Sequence, residues 1–303
     1  MDFFFAGMED PMVAQEYYAR TGEKLNVLFS FYTIGSKVDK IVDLFSPVVK
    51  KMMLDSGAFS LFTKNEAEIT RFKQIYTNFL KYNSDFLNEK FDCVFTLDYR
   101  SNFDGFEENF EMFKQLWGVY SNVVPVIHSL GADNPEIVHY EKFLPHTIAI
   151  GQNEFRNRKS HFGQLVGAID SIQKKSKCHF LGVSDYKLLS KLKTIDSCDS
   201  TSWLKYANCG IVLRYKIVGN KLESQSIYFP NKEGVSRKGT VTLEEMPGDE
   251  KNEFLREMKE NLNLTRNDFF NNNSCLSRCL ANIYYTLKMV NHLFVENSLG
   301  TKG

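Results

Sequence analysis

Four polar residues stand where short apolar runs end, and their types are those of bond-making chemistry. KMMLDSGAF places Asp55 after one run, CVFTLDYR places Asp98 after another, VVPVIHS places His128 after a third and IDSCDSTSW ends the series with Asp199. A carboxylate can act as a nucleophile, move a proton or accept the donor edge of a ligand, and an imidazole can give or take a hydrogen bond. Each of the four sits where a buried strand would give way to a loop. In a parallel α/β barrel all such ends meet at one face, the face that carries active sites. Three carboxylates and a histidine gathered there point to an enzyme, with one carboxylate serving as nucleophile.

Blander roles compete at each position. Asp55, ahead of Ser-Gly, could cap a following helix. Asp98, ahead of Tyr-Arg, could pair with Arg100 at the surface. His128 at a strand end is pocket-lining, and no proton transfer is assigned to it. Asp196 and Asp199 both lie in IDSCDS, and in a regular strand 196 and 198 face one side while 197 and 199 face the other. Trp203 reads as core rather than as a stacking platform. Arg156, Arg158 and Lys159 follow the sixth apolar run, a position that suits contact with phosphates. Arg237 and Lys238 are weaker candidates for the same task.

The elements that must position these residues alternate along the chain. Eight apolar runs read as buried strands: 3–7, 25–31, 51–55, 93–98, 123–128, 147–151, 179–183 and 194–200. The first of these could instead belong to an N-terminal hairpin. Between the runs lie helical patterns, EAEITRFKQIYTNFLKYN, FEENFEMFKQLWGVY, SHFGQLVGAIDSIQKK and the shorter DYKLLSKLK. Such alternation implies parallel strands and right-handed crossovers, hence an α/β fold, a (β/α)8 TIM barrel over residues 1–210. After Gly210 the rhythm changes. Two strands turning at Gly219-Asn220, an exposed helix and a long final helix starting near Asn273 or Ser274 form a hairpin and helical appendage over 211–303, expected to pack on the barrel.

Composition narrows the class further. The chain has 303 residues, 43% of them apolar and 24% charged, with Lys and Arg totalling 37 against 37 Asp and Glu. No global positive field would steer it to nucleic acid, so any such contact must come from a local basic patch. The apolar start is too short for a signal peptide or a membrane span, and no membrane association is expected. Six scattered cysteines then read as reduced thiols of a cytoplasmic protein, in the host cytoplasm if the chain is phage-encoded.

From about residue 50 to 210 the chain resembles the tRNA-guanine transglycosylase superfamily. LDSGAFS resembles the family's DSGGFQ, with Asp55 and Ser56 matching and Ala58 replacing a glycine. TLDYR places Asp98 at the family's second substrate-binding aspartate. PVIHSLG falls at VQGG, so His128 stands where glutamine is usual. IAIGQ resembles AIGG, with Gln152 after Gly151. FLGVSDYKLLSKLKTIDSCDS resembles the stretch from MGVGTPEDLLEAV to MFDC. Asp199 and Gly210 are eleven apart, as are the nucleophilic aspartate and closing glycine of the family's DCVLPTRNARNG.

The resemblance implies exchange of guanine in a polynucleotide for a 7-deazaguanine base, preQ0 or a derivative. It implies Asp199 as covalent nucleophile at the sugar and Asp55 as acid/base, with Asp98 holding the base's N1–H and 2-amino group on its two oxygens. Ser56, His128, Gly151 and Gln152 would line the base pocket. The base must be flipped or single-stranded to enter, and neither ATP nor a redox cofactor is needed. The family's tRNA enzymes also carry zinc on CxCxxC and a distant histidine. Here the remnants are Cys275, Cys279 and His292, and on one continuous helix His292 would point about 220° away from the cysteines at roughly 100° per residue. The degraded zinc motif, DSGAFS and the remodelled C-terminal region favour the phage and bacterial DNA-modifying branch, with DNA as partner. A tRNA transglycosylase and a noncatalytic nucleic-acid-binding partner subunit are the alternatives. The latter has no need of all three aspartates.

Overall fold

The structure, a computed structural model, describes every residue except 62, 99–104, 121, 131–133, 152–160, 193–194, 220, 231–236, 272 and 301–303, and side chains through residue 293. Contacts divide the chain into two units. The first comprises 1–9, 26–183 and 191–200, and the second 10–25, 184–190 and 201–303.

The first unit is a parallel barrel-shaped sheet with helices. Its strands are β1 (Asp2–Ala6), β2 (Leu25–Ser30), β3 (Val49–Asp55), β4 (Cys93–Phe95), β5 (Val123–Val124 and Val126–Ile127), β6 (Thr147–Ile150), β7 (Lys177–Phe180) and β8 (Ser197–Ser200). Counting the two stretches of β5 separately, the sheet has nine segments, and these two stand at opposite ends of its order. Only Pro125 lies between them. On one side Thr96 N–H donates to Val124 O at 3.0 Å, and on the other Ala149 N–H donates to Pro125 O at 2.9 Å. The segment 123–127 therefore joins the two ends of the sheet. β1 is no hairpin strand: it lies between β2 and β8 and is parallel to both.

Period-two alternation fills the barrel. Phe4, Ala6, Leu28, Met53, Cys93, Phe95, Val124, Val126 and Ala149 form one buried cluster, at least one residue from each of β1 to β6. The crossover helices dock by their apolar stripes. Glu66–Tyr82 starts at a capping box, with Asn65 Oδ1 accepting from Glu68 N–H and Glu68 Oε2 from Asn65 N–H. Its buried Tyr76 donates its hydroxyl to Phe95 O at 2.6 Å, which fixes the end of β4 just before Asp98.

In the second unit β9 (Ile211–Val218) and β10 (Lys221–Tyr228) form an antiparallel hairpin, with β11 (Val241–Thr242) added on the far side of β10. Gly219 takes φ 60° at the turn, a conformation open to glycine. A continuous helix runs from Ser274 to Gly300. Its Asn282 amide donates to Trp203 O and Ile211 O, both at 3.0 Å, and accepts from Leu213 N–H at 2.8 Å. That one buried side chain ties helix Ser202–Asn208 to the hairpin and the final helix, so 201–210 belong with this unit. Trp203 is buried here as core. Among the described residues no helix is long and apolar enough to cross a membrane.

Candidate active site

The strand ends bring the sequence candidates to one face of the barrel. β3 ends on Asp55, followed by a turn in which Asp55 Oδ2 accepts from Gly57 N–H at 2.9 Å. Gly57 has φ 82°, and a Cβ there would lie 2.3 Å from Tyr32 Cβ and 2.5 Å from Ser30 Oγ. Only glycine fits this close approach. Ser56 is buried, and its Oγ accepts from Ala58 N–H at 3.2 Å, so its hydroxyl shapes the turn that aims Asp55.

Asp98 follows β4 and His128 follows β5. Asp98 Oδ2 lies 3.2 Å from His128 Nε2, with the two side chains 12% and 6% exposed. The histidine is anchored from behind. Its N–H donates to Glu136 Oε2 at 2.7 Å, and Ser129 N–H reaches the same oxygen at 3.3 Å. Asn134 accepts from Glu136 N–H at 2.8 Å, which starts the helix Pro135–Tyr140 and fixes the glutamate. Gly151, at the end of β6, sits against the imidazole. A Cβ at 151 would come within 2.7 Å of both His128 Cε1 and Nδ1.

Asp199 is the most fully held of the three aspartates. Its Oδ1 accepts from Gly182 N–H at 2.8 Å and contacts His179 Nε2 at 3.2 Å. His179 is fully buried and meets Ser197 Oγ through Nδ1 at 2.8 Å. Its ring packs edge-on to Phe95 and Phe4, with centroids 5.3 and 6.1 Å apart. Asp199 Oδ2 has no partner among the described residues, so one oxygen is fixed and the other is presented.

Asp196, the competitor for the nucleophile role, is at the opposite end of β8. Its Oδ2 accepts from Cys178 N–H at 2.8 Å and Gln173 Nε2 at 3.0 Å. A concavity of about 890 Å³ opens at that end, lined among others by Trp117, Lys174, Lys177 and Asp196. It contains none of the converging site residues.

The electrostatics bear on Asp55. Burial pushes its carboxyl up to about 7, and the negative charges of Asp98 and Asp199 push in the same direction against the Gly57 hydrogen bond. That Asp98 and Asp199 both act on Asp55 places the three carboxylates within one field. For His128, burial works against protonation, but the Asp98 carboxylate and then Glu136 outweigh it and raise its pKa. Burial raises Glu136 as well.

Other candidates are not brought together. Gln152, Arg156, Arg158 and Lys159 lie outside the described residues, as does Arg100. Cys275 is exposed with its thiol on Asn208 Oδ1 at 3.3 Å, while Cys279 is buried. His292 lies thirteen residues further along the same unbroken helix, a rise of about 20 Å. The three cannot converge on one ion, and among the described residues no other group of His, Cys, Asp and Glu is arranged to hold a metal.

Sequence reasoning missed His179, Glu136 and Phe59. His179 had a readable signal: it is the polar residue of HFLGV, on the strand next to Asp199. Phe59, four residues past Asp55 in the chain, is 71% exposed.

No family model and no curated protein matches this chain. Among solved structures it is similar to a presumed fructose-1,6-biphosphate aldolase from Coccidioides immitis, at 9% identity and a TM-score of 0.49 over 97% of this chain and 93% of that one. Similarity of this degree carries no inference about chemistry.

Proposed function

We propose that the chain is a DNA-guanine transglycosylase, exchanging guanine in DNA for a 7-deazaguanine base through an aspartyl–sugar intermediate. The observation that carries the reading is the pairing of a clamped carboxylate, Asp199, with a second carboxyl, Asp55, whose pKa lies at about 7. Asp199 Oδ2 attacks C1′ as the C1′–N9 bond breaks. The bond's electrons pass to the departing guanine, and the Asp55 carboxyl gives that base a proton at its imidazole ring. In the return step the incoming base loses its N9 proton to the Asp55 carboxylate. N9 then attacks C1′, and Asp199 leaves as a carboxylate. A group that must give a proton and then take one works best with a pKa near the working pH. Developing positive charge at the sugar is stabilised by the carboxylates beside it.

The preference for DNA rests on DSGAFS and on the lack of a convergent Cys/His set at 275, 279 and 292. Labelled guanine and 7-cyano-7-deazaguanine, each offered with DNA and with tRNA, test both parts. Incorporation into DNA is expected. Incorporation into tRNA alone would overturn the polymer and keep the chemistry, and incorporation into neither would overturn both.

A further inference from the structure

We propose that His179 is a positioning residue that keeps the aspartyl–sugar ester reversible: a neutral imidazole, its tautomer set by the Ser197 hydroxyl, holds an N–H on Asp199 Oδ1 through both halves of the exchange. The inference rests on the transglycosylase reading and concerns how its nucleophile is released. His179 on β7 is registered opposite Ser197 on β8, and Asp199 lies two residues further along the same face. Nδ1 is 2.8 Å from Ser197 Oγ, and Nε2 is 3.2 Å from Asp199 Oδ1. The hydrogens of this chain of groups can be assigned one by one. An ionised carboxylate only accepts, so Nε2 carries a proton. Ser197 is buried, and its Oγ has no other partner among the described residues. Its O–H is therefore satisfied by donating to Nδ1, which leaves that nitrogen without a proton.

The consequence lies in the second half of the reaction. In the ester, Asp199 Oδ2 is bonded to C1′ and Oδ1 is a neutral carbonyl oxygen. When N9 of the incoming base attacks C1′, its proton goes to the Asp55 carboxylate and the C1′–Oδ2 bond breaks. The electron pair of that bond returns to the carboxylate and is shared with Oδ1, where Gly182 N–H and His179 Nε2–H already stand. Hydrogen bonds to an ionised acceptor are about twice as strong as those between neutral groups. Both donors therefore favour the free carboxylate over the ester and ease departure of the sugar. A lysine or arginine in this place would be left buried against a neutral ester. A neutral N–H suits both states, and the packing of the ring against Phe4 and Phe95 keeps it there.

The test loads the full chain with a labelled guanine-containing oligonucleotide and titrates in free guanine, reading the concentration that reverses half of the covalent adduct on denaturing gels. In His179→Phe, which keeps a ring and removes the donor, that concentration is expected to rise by about tenfold, the difference between hydrogen bonds to a charged and to a neutral acceptor. His179→Gln, which restores an N–H at the place of Nε2, is expected to stay within about threefold of the native chain. An unchanged or lower concentration in a folded His179→Phe, or loss of its adduct, overturns the proposal, because a ring that only shapes the strand would misplace Asp199 and disfavour the ester. A Gln variant that shifts as far as the Phe variant overturns it as well. Nitrogen-15 NMR of the native His179 ring needs no variant. Nε2 protonated and Nδ1 bare is expected, and a proton on Nδ1 overturns the proposal whether or not the variants fold. A native chain that forms no adduct refutes instead the transglycosylase reading, and the proposal falls with it.

Discussion

In the second unit the Arg214 side chain, 1% exposed, is met by Glu253 at 2.7 Å and by Glu257 at 3.9 Å. Glu257 is shared with Lys288 and accepts the Tyr285 hydroxyl at 2.7 Å, and Lys216 answers Glu250 at 3.0 Å. Each carboxylate there has a cation and each cation a carboxylate. At the mouth of the barrel, the basic neighbours of Asp55, Asp98 and Asp199 among the described residues are His128 and His179. The hairpin unit uses charge to hold itself together, whereas among the described residues the barrel mouth gathers three carboxylates with no Lys or Arg paired to them. Unbalanced burial of this kind costs stability and is the usual sign of a working site.

The comparison breaks most sharply at β8, where one strand carries an aspartate of each sort. Asp199→Asn is expected to lower base exchange on the order of 10⁴-fold or more, as loss of a covalent nucleophile does, with the melting temperature little changed. Asp196→Asn is expected to keep exchange and to lose stability, since its partners are Cys178 N–H and Gln173. Radiolabelled guanine exchange and thermal melts on both variants check the pair, and the reverse pattern would invert the assignment.

Asp55 gives the next largest effect, and its sign is unusual. Its carboxyl is raised from 3.8 to about 7 in the folded chain, so the folded state holds that proton more tightly than the unfolded state. Stability therefore falls as pH rises from about 4 to about 7, and above that the ionised group costs at most on the order of 4 kcal/mol, at about 1.4 per pKa unit. Asp55→Asn removes the cost and keeps an acceptor for Gly57 N–H. It is expected to be more stable than the native chain at pH 8, equal to it below pH 4, and inactive. Chemical denaturation at the two pH values measures this, and an Asn variant less stable at pH 8 would place Asp55 outside the field of Asp98 and Asp199.

The balanced network should respond in the opposite way. Arg214→Met is expected to destabilise by about 3 kcal/mol, the lower end for breaking a buried pair, because Glu253 is half-exposed and Glu257 keeps Lys288. Exchange per folded molecule should be unaffected, as urea melts and a rate corrected for the folded fraction would show. The smallest effect is expected at Gly151→Ala. The added methyl would press on His128 and cost about 1–2 kcal/mol as overpacking. It should loosen the imidazole from Asp98 and let its raised pKa drop toward the ordinary histidine value, which proton NMR of the ring reads directly.

The strands of this fold could be read from its sequence because a barrel buries each strand on both faces, giving eight separate apolar runs. All eight appear in the structure, with ends moved by a few residues. The turn at Gly219 and the helices starting at Glu66, Phe106, Phe162, Gly248 and Ser274 were similarly legible from their periodicity. Short helices such as Val38–Phe45, Pro135–Tyr140 and Ser202–Asn208 were not, since one or two turns set no clear period. DYKLLSKLK promised more helix than the single turn Tyr186–Leu189. The candidate aspartates stood out because charge at the end of an apolar run is rare. Glu136 and His179 did not, because their importance comes from the neighbouring strand or loop, which a linear pattern does not display.

The division of β5 at Pro125 also affects how the barrel breathes. Proline brings no N–H to a ladder, and each side of β5 is registered to its neighbour by two residue pairs, whereas β1 and β8 share four. Local opening starts where a ladder is short. Amides that close this seam, Thr96, Ala149 and Gly151, should exchange with deuterium before those joining β1 to β8. His128 ends the strand at the yielding seam, and Asp199 lies in the ladder opposite Phe4. Asp199 thus has a four-pair ladder on one side, whereas the strand before His128 is held by two pairs on each side.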